Sequence, residues 1–153
     1  MQTSATAEAS TFPRLLLKHA AERPGAPAMR EKEYGIWQTH SWADMATLVE
    51  HLACGLHQAG LQRGEHMIVV GANRPRLSAT MLAAQALGAI PVPLYQDAAA
   101  AECVFPITNA EVRFCLVEDQ EQVDKMLEVR ESCPQLAHIY YDDPRGLRNY
   151  NEA

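Results

Sequence analysis

The stretch from Gly60 to Tyr95, GLQRGEHMIVVGANRPRLSATMLAAQALGAIPVPLY, changes its apolar period twice, and each change marks an element. Met67 to Val70 is an unbroken apolar run rich in β-branched residues and bounded by Gly64 and Gly71, the pattern of a strand buried on both faces. Pro75 follows, where a first helical turn tolerates a missing N–H, and Leu77, Met81, Ala84 and Leu87 recur at helical spacing until Gly88. Ile90 to Tyr95 is a second apolar segment. Strand, helix and strand within about 30 residues is the size of a βαβ crossover, which predicts a parallel pair with a right-handed connection.

The same reading extends in both directions. Thr11 stands as the cap of a helix from about Phe12 to Arg23, with Leu15, Leu16 and Ala20 facing inward and Pro24-Gly25 as the stop. Ala28 to Lys32 and Ile36 to His40 flank Glu33-Tyr34-Gly35, which predicts an antiparallel hairpin. Ser41 with Asp44 three residues later resembles a capping box, and the helix it opens carries Met45, Leu48, Val49, Leu52 and Leu56 on one stripe before Gly60 closes it. Downstream, Asp97 is placed to cap an Ala-rich helix from Ala98 to about Asn109, and Arg113 to Val117 reads as a buried strand. Asp119 with Gln122 signals another cap, Val123, Met126 and Leu127 form the inner face of its helix, Ser132-Cys133-Pro134 ends it, and His138 to Tyr141 makes a last strand.

These elements define an α/β fold class: a layered parallel sheet flanked by helices, with a small N-terminal antiparallel hairpin. Residues 1–10 read as a disordered leader, 11–143 as one α/β lobe and 144–153 as a polar linker or tail. From Leu77 to Leu87 only Ser78, Thr80 and Gln85 are polar, and the alanines face several directions. That pattern predicts burial on more than one side, against a lobe outside this chain, the alternative being a two-layer fold in which one Ala-rich face is exposed.

Composition narrows the class. A chain of 153 residues is one domain's worth and buries roughly 70% of its extended surface. A net charge of −6 excludes an ordinary nucleic-acid surface, which needs clustered Lys and Arg. No apolar run approaches the ~18 residues of a membrane span. Cys54, Cys103, Cys115 and Cys133 are scattered without a Cys-x-x-Cys pair, which favours reduced thiols and a cytoplasmic location over a disulfide framework.

The order Gly60-Leu-x-x-Gly64-Glu65, apolar strand, Asn73-Arg74-Pro75, Ala-rich helix, Gly88-Ala89 and Val92-Pro93-Leu94-Tyr95 resembles the first lobe of AMP-forming acyl-CoA synthetases, particularly the long-chain fatty acid branch. Upstream, REKEYGIWQTHSWADM resembles the hairpin and helix start that precede this unit there, and FCLVEDQEQVDKM resembles the strand and helix that follow, so the likeness runs from about Thr11 to Pro144. Arg76-Leu77 departs from it, because the family often carries an acidic residue and Trp there. The resemblance implies the N-terminal part of a fatty acid–CoA ligase, a partial domain of a larger enzyme whose remaining lobes and fatty acid substrate are the partners. ATP, Mg²⁺ and CoA are implied for the full-length enzyme, and none is expected to bind this part. The family's Ser/Thr/Gly-rich loop leading into Pro-Lys, its Tyr-Gly-x-Thr-Glu segment, its ribose-binding Asp and its C-terminal Lys match nothing here, so no catalytic residue carries over and the chain is expected to be inactive alone. The alternative is a stand-alone, non-catalytic α/β binding or oligomerisation module, a homodimer being one form of it.

In an open parallel sheet, ligands bind beyond the carboxyl ends of the strands, near a switch in strand order. Those ends are Gly71 to Arg74, Gln96-Asp97, Glu118-Asp119 and Asp142-Asp143. Asn73, Tyr95 and Gln96 are the substrate-binding candidates, Tyr95 as an aromatic wall for an acyl chain, against the plainer readings of turn residues and a core-boundary ring. Asp97 and Asp119 are explained as helix caps. Phosphate cradling needs converging backbone N–H groups, and there is neither a Gly-x-Gly-x-x-Gly nor a Walker loop; the lysines are Lys18, Lys32 and Lys125. His51 and Cys54 stand at i and i+3 but lack further ligands, so no metal site is expected. Cys115, His138 and Asp142 assemble a nucleophilic set on paper, yet Cys115 falls inside an apolar strand that penalises a thiolate, and it reads as core.

Overall fold

The computed structural model of the protein describes residues 11–146, so the expected leader and residues 147–153 of the tail lie outside the described residues. Helix α1 (Phe12–Glu22) precedes a two-stranded antiparallel hairpin of β1 (Pro27–Glu33) and β2 (Ile36–Ser41). The turn is tighter than the three-residue connection predicted. Tyr34 and Gly35 alone link the strands, at φ of 47° and 81°, the pair of positive values that a two-residue type I′ hairpin requires.

Helix α2 (Trp42–Gln58) starts at the predicted capping box: Ser41 Oγ accepts from Asp44 N–H at 3.1 Å, and the Asp44 carboxylate accepts from Ser41 N–H at 2.9 Å. It ends at Gly60, φ 95°, where Leu61 N–H reaches Leu56 O and Gly60 N–H reaches His57 O, the paired bonds of a Schellman stop. Thr11 sits at the N-cap of α1 but its side chain makes no cap bond, and of the three predicted inner residues only Leu16 is buried.

The main sheet is wholly parallel, in the order β4 (Ile90–Leu94), β3 (His66–Val70), β5 (Phe114–Val117), β6 (His138–Tyr141). From β3 the chain steps outward through α3 (Pro75–Ala86) to β4, then returns past β3 through α4 (Ala100–Asn109) to β5 and through α5 (Gln120–Arg130) to β6. Because the direction of stepping reverses once, crossovers of one hand place α3 on one face and α4 and α5 on the other. Two cores result. Ile68, Val70, Cys115 and Val117 face Cys103 and Ile107 of α4 and Val123, Met126 and Val129 of α5. Met67, Phe114 and Leu116 point oppositely, toward Leu16, Met45, Val49, Leu56 and the alanines of α3, as the period of two along a strand dictates.

Strand β5 is buried throughout, whereas β4 is an edge. Ile90 N–H bonds Glu65 O at 2.8 Å and Val92 pairs with Ile68, so residues 90, 92 and 94 present their N–H groups to β3. Pro91 and Pro93 occupy the outward positions, where the missing N–H costs no ladder bond.

Two sequence expectations are corrected. On α3 the buried residues are Pro75, Ala79, Thr80, Ala83 and Ala84, while Leu77, Met81 and Leu87 are only partly covered. Small side chains form the inner stripe because α3 lies close to its neighbours, and its cover comes from α1, α2 and β1 of this same chain. Asp97 does not cap α4, which begins at Ala100; the Glu102 carboxylate accepts from Ala99 N–H at 2.9 Å and satisfies that end instead.

Candidate functional site

Strand order reverses between β3 and β5, and the carboxyl ends of these strands open onto a cleft of about 260 Å³. The chain leaves β3 at Gly71 and passes directly against Glu118, which follows β5: a Cβ on Gly71 would lie 2.7 Å from Glu118 Cβ. The close approach lets the Glu118 carboxylate accept from Ala72 N–H on one oxygen and from Arg74 Nε, at 2.5 Å, on the other. Arg74 also faces Glu31 of β1 at 3.7 Å, and Glu31 meets His40 Nε2 of β2 at 3.1 Å, so the hairpin is tied to the sheet rim.

Two further ion pairs complete the wall. Arg76, at the start of α3, meets Asp142 at 2.6 Å just beyond β6. Arg145 Nε donates to both oxygens of Asp143 at 2.9 and 2.7 Å, and Arg145 Nη1 donates to Tyr34 Oη of the hairpin turn at 2.7 Å. The electrostatics follow these partners. Hydrogen bonding to Glu118 raises the Arg74 guanidinium pKa further, and Arg145 bonds hold Asp143 below the usual carboxylate range. Asp142 moves the other way, because its burial outweighs the attraction of Arg76.

Among the predicted candidates, Asn73 is exposed within the turn between Gly71 and Arg74, beside the cleft but outside its lining. Tyr95 follows the edge strand β4 and is 88% exposed. Gln96 is likewise exposed, and its carbonyl accepts from Gln122 Nε2 at 3.1 Å and Lys125 Nζ at 2.6 Å, which fixes the turn after β4 onto α5. The three share the carboxyl rim without converging on one pocket. Asp119 is the predicted cap, accepting from Gln122 N–H at 3.3 Å. The set Cys115, His138 and Asp142 is not assembled: His138 opens β6 and stacks on Phe114 at 4.5 Å, Asp142 lies beyond the opposite end of that strand, and burial pushes the Cys115 thiol up to about 12. His51 and Cys54 are exposed on α2, and among the described residues no group of three or more His, Cys, Asp or Glu is placed to hold a metal ion.

Glu31, Tyr34, Arg76 and Arg145 are not among the site candidates read from sequence, where Tyr34 enters only as a turn residue and Arg76 only as a departure from the family pattern. Their signal is non-local, since Tyr34 and Arg145 lie 111 positions apart. No helix among the described residues is long and apolar enough to cross a membrane.

Comparison with known proteins places this architecture. The pattern of the family described as "AMP-binding enzyme" matches residues 16–152. The long-chain-fatty-acid–CoA ligase FadD15 of Mycobacterium bovis is 22% identical over 142 residues, covering 91% of this chain and 24% of that protein. The chain thus spans about a quarter of the length of that ligase. Uncharacterized protein Rv1549 of Mycobacterium tuberculosis is 29% identical over 138 residues, covering 90% of this chain and 75% of that protein. Among solved structures, the N-terminal domain of FACL13 from Mycobacterium tuberculosis superposes with a TM-score of 0.77 at 19% identity, over 86% of this chain and 33% of that one, a likeness of fold.

Proposed function

This chain belongs to the AMP-binding enzyme family, and on that premise we propose that it is the N-terminal scaffold lobe of a cytoplasmic fatty acid–CoA ligase, inactive by itself. The whole enzyme would convert a fatty acid, ATP and CoA into acyl-CoA, AMP and pyrophosphate with the help of Mg²⁺. The observation that supports this reading most is the extent of the match, nearly the whole described lobe against about a quarter of a long-chain ligase.

The rim cleft does not fit nucleotide phosphates. The groups that would hold an anion there, Ala72 N–H and Arg74, already hold Glu118, and Glu31, Glu33, Asp142 and Asp143 surround the opening with negative charge. On this reading the rim cleft itself carries no step of adenylate formation. Their proposed work is mechanical: the ion pairs keep the hairpin against the rim, and the carbonyl of Gln96, gripped from α5, sets the direction in which Tyr95 projects. Tyr95, with Asn73 and Gln96 on the same rim, would contribute to the wall along the acyl chain where the remaining lobes close over it.

Incubating the 153-residue chain with ATP, Mg²⁺ and a fatty acid should release no pyrophosphate. Sustained release would refute the scaffold reading. A second reading, a stand-alone binding or oligomerisation module, is favoured by one observation: Rv1549 matches over most of both chains. Sedimentation separates the two, since a defined dimer that persists on dilution supports an evolved interface, and polydisperse association supports a lobe deprived of its neighbours.

A further inference from the structure

The turn between β3 and α3 grips a carboxylate that comes from the protein itself. Gly71 makes room for it, because a Cβ there would stand 2.9 Å from Glu118 Oε2. The Glu118 backbone is pinned on both sides, its N–H on Val70 O at 2.9 Å and its carbonyl under Asp143 N–H at 2.7 Å, so the side chain enters from a fixed point and is only 15% exposed. One main-chain N–H and one guanidinium N–H, on the two oxygens of a single carboxylate, form the donor set of an oxyanion receptor.

Charge selects the class of anion. Five carboxylates, Glu31, Glu33, Glu118, Asp142 and Asp143, line the cleft with three guanidinium groups, those of Arg74, Arg76 and Arg145. Without Glu118 the count becomes four against three. A singly charged carboxylate then restores the original balance, whereas a doubly charged phosphate adds repulsion.

We propose that Ala72 and Arg74 form a carboxylate-binding cradle, filled in this chain by Glu118, which takes up a small free carboxylate once the Glu118 side chain is removed. Acetate is the probe, and the melting temperature of Glu118→Ala in the 153-residue chain is the readout, compared with chloride at the same ionic strength. The variant melts roughly 5–10 °C below wild type. Acetate restores much of that loss in a saturable manner, does nothing comparable for wild type, and fails on the double variant Glu118→Ala/Arg74→Ala. Equal recovery in chloride, recovery that survives in the double variant, or no recovery in any salt overturns the cradle. Stronger recovery by phosphate than by acetate overturns its assignment to carboxylates. If Glu118→Ala does not fold in chloride buffer, refolding yield replaces melting temperature: folding restored by acetate alone supports the cradle, and failure in both salts overturns it.

Discussion

The two faces of the main sheet are built from side chains of different size. Under α4 and α5 the core holds Ile107, Met126 and Leu136 together with the thiols of Cys103, Cys115 and Cys133. Under α3 it relies on Ala79, Ala83 and Ala84, with bulk supplied by Met45, Val49 and Leu56 of α2. One strand serves both, since Cys115 and Leu116 of β5 point to opposite sides. The difference shows that apolar volume can come from the helix touching the sheet or from the helix behind it. Where it comes from behind, the touching helix must be thin.

The largest contrast is kinetic. All four cysteines are free, but only Cys54, on the α3 side, is exposed. A disulfide reagent should label Cys54 at once and the three thiols under α4 and α5 at least ~10³-fold more slowly, limited by opening of that core; rapid labelling of two or more would show the α4–α5 face to be loose. Met126→Ala should destabilise by ~2–5 kcal/mol in denaturant unfolding, as removal of a fully buried large side chain does. Ala83→Leu should cost about 1–3 kcal/mol by crowding. If Ala83→Leu is neutral or stabilising, α3 is not tightly fitted and the contrast between faces fails. Ser41→Ala, which removes the cap of α2, should cost about 1 kcal/mol in the same assay.

The smallest effect is in acid. Burial gives Asp142 a folded-state pKa above 3.8, so the folded chain holds this proton more tightly than the unfolded one; the contribution favours folding below pH 3.8 and is lost as pH rises through the folded value. Asp44, bonded to Ser41, and Asp143, bonded to Arg145, are lowered and act oppositely: their contribution is present above 3.8 and lost as pH falls through their folded values. Asp142→Asn deletes the first effect and keeps the second, so its unfolding free energy should fall more steeply than that of wild type between about pH 5 and pH 3. Parallel profiles would contradict this assignment.

Much of this architecture was legible because its signals are local. A β-branched run locates β3, an unbroken apolar run locates β5, and Ser41 with Asp44 marks a helix start that the hydrogen bonds reproduce. Of the period on Leu77, Met81, Ala84 and Leu87, only Ala84 belongs to the inner stripe of α3, because alanine carries too little apolar surface to outvote its larger neighbours in a sequence pattern. Asp97 is the conspicuous cap signal in the sequence, whereas the bond that forms at this helix start is the return of Glu102 to Ala99, which no single residue type announces. The rim cleft was legible only on its sheet side. Arg145 and Tyr34 meet through folding of the whole lobe, and no short window of sequence contains that contact.

Pro91 and Pro93 decide how a larger molecule can be built on this lobe. The flank of β4 offers carbonyl oxygens and, at these two places, no donors, so another strand laid alongside it would go half unbonded. Growth by backbone pairing is closed on that border. Whatever meets this margin meets side chains such as Ile90 and Tyr95, and the border is protected from adventitious sheet extension.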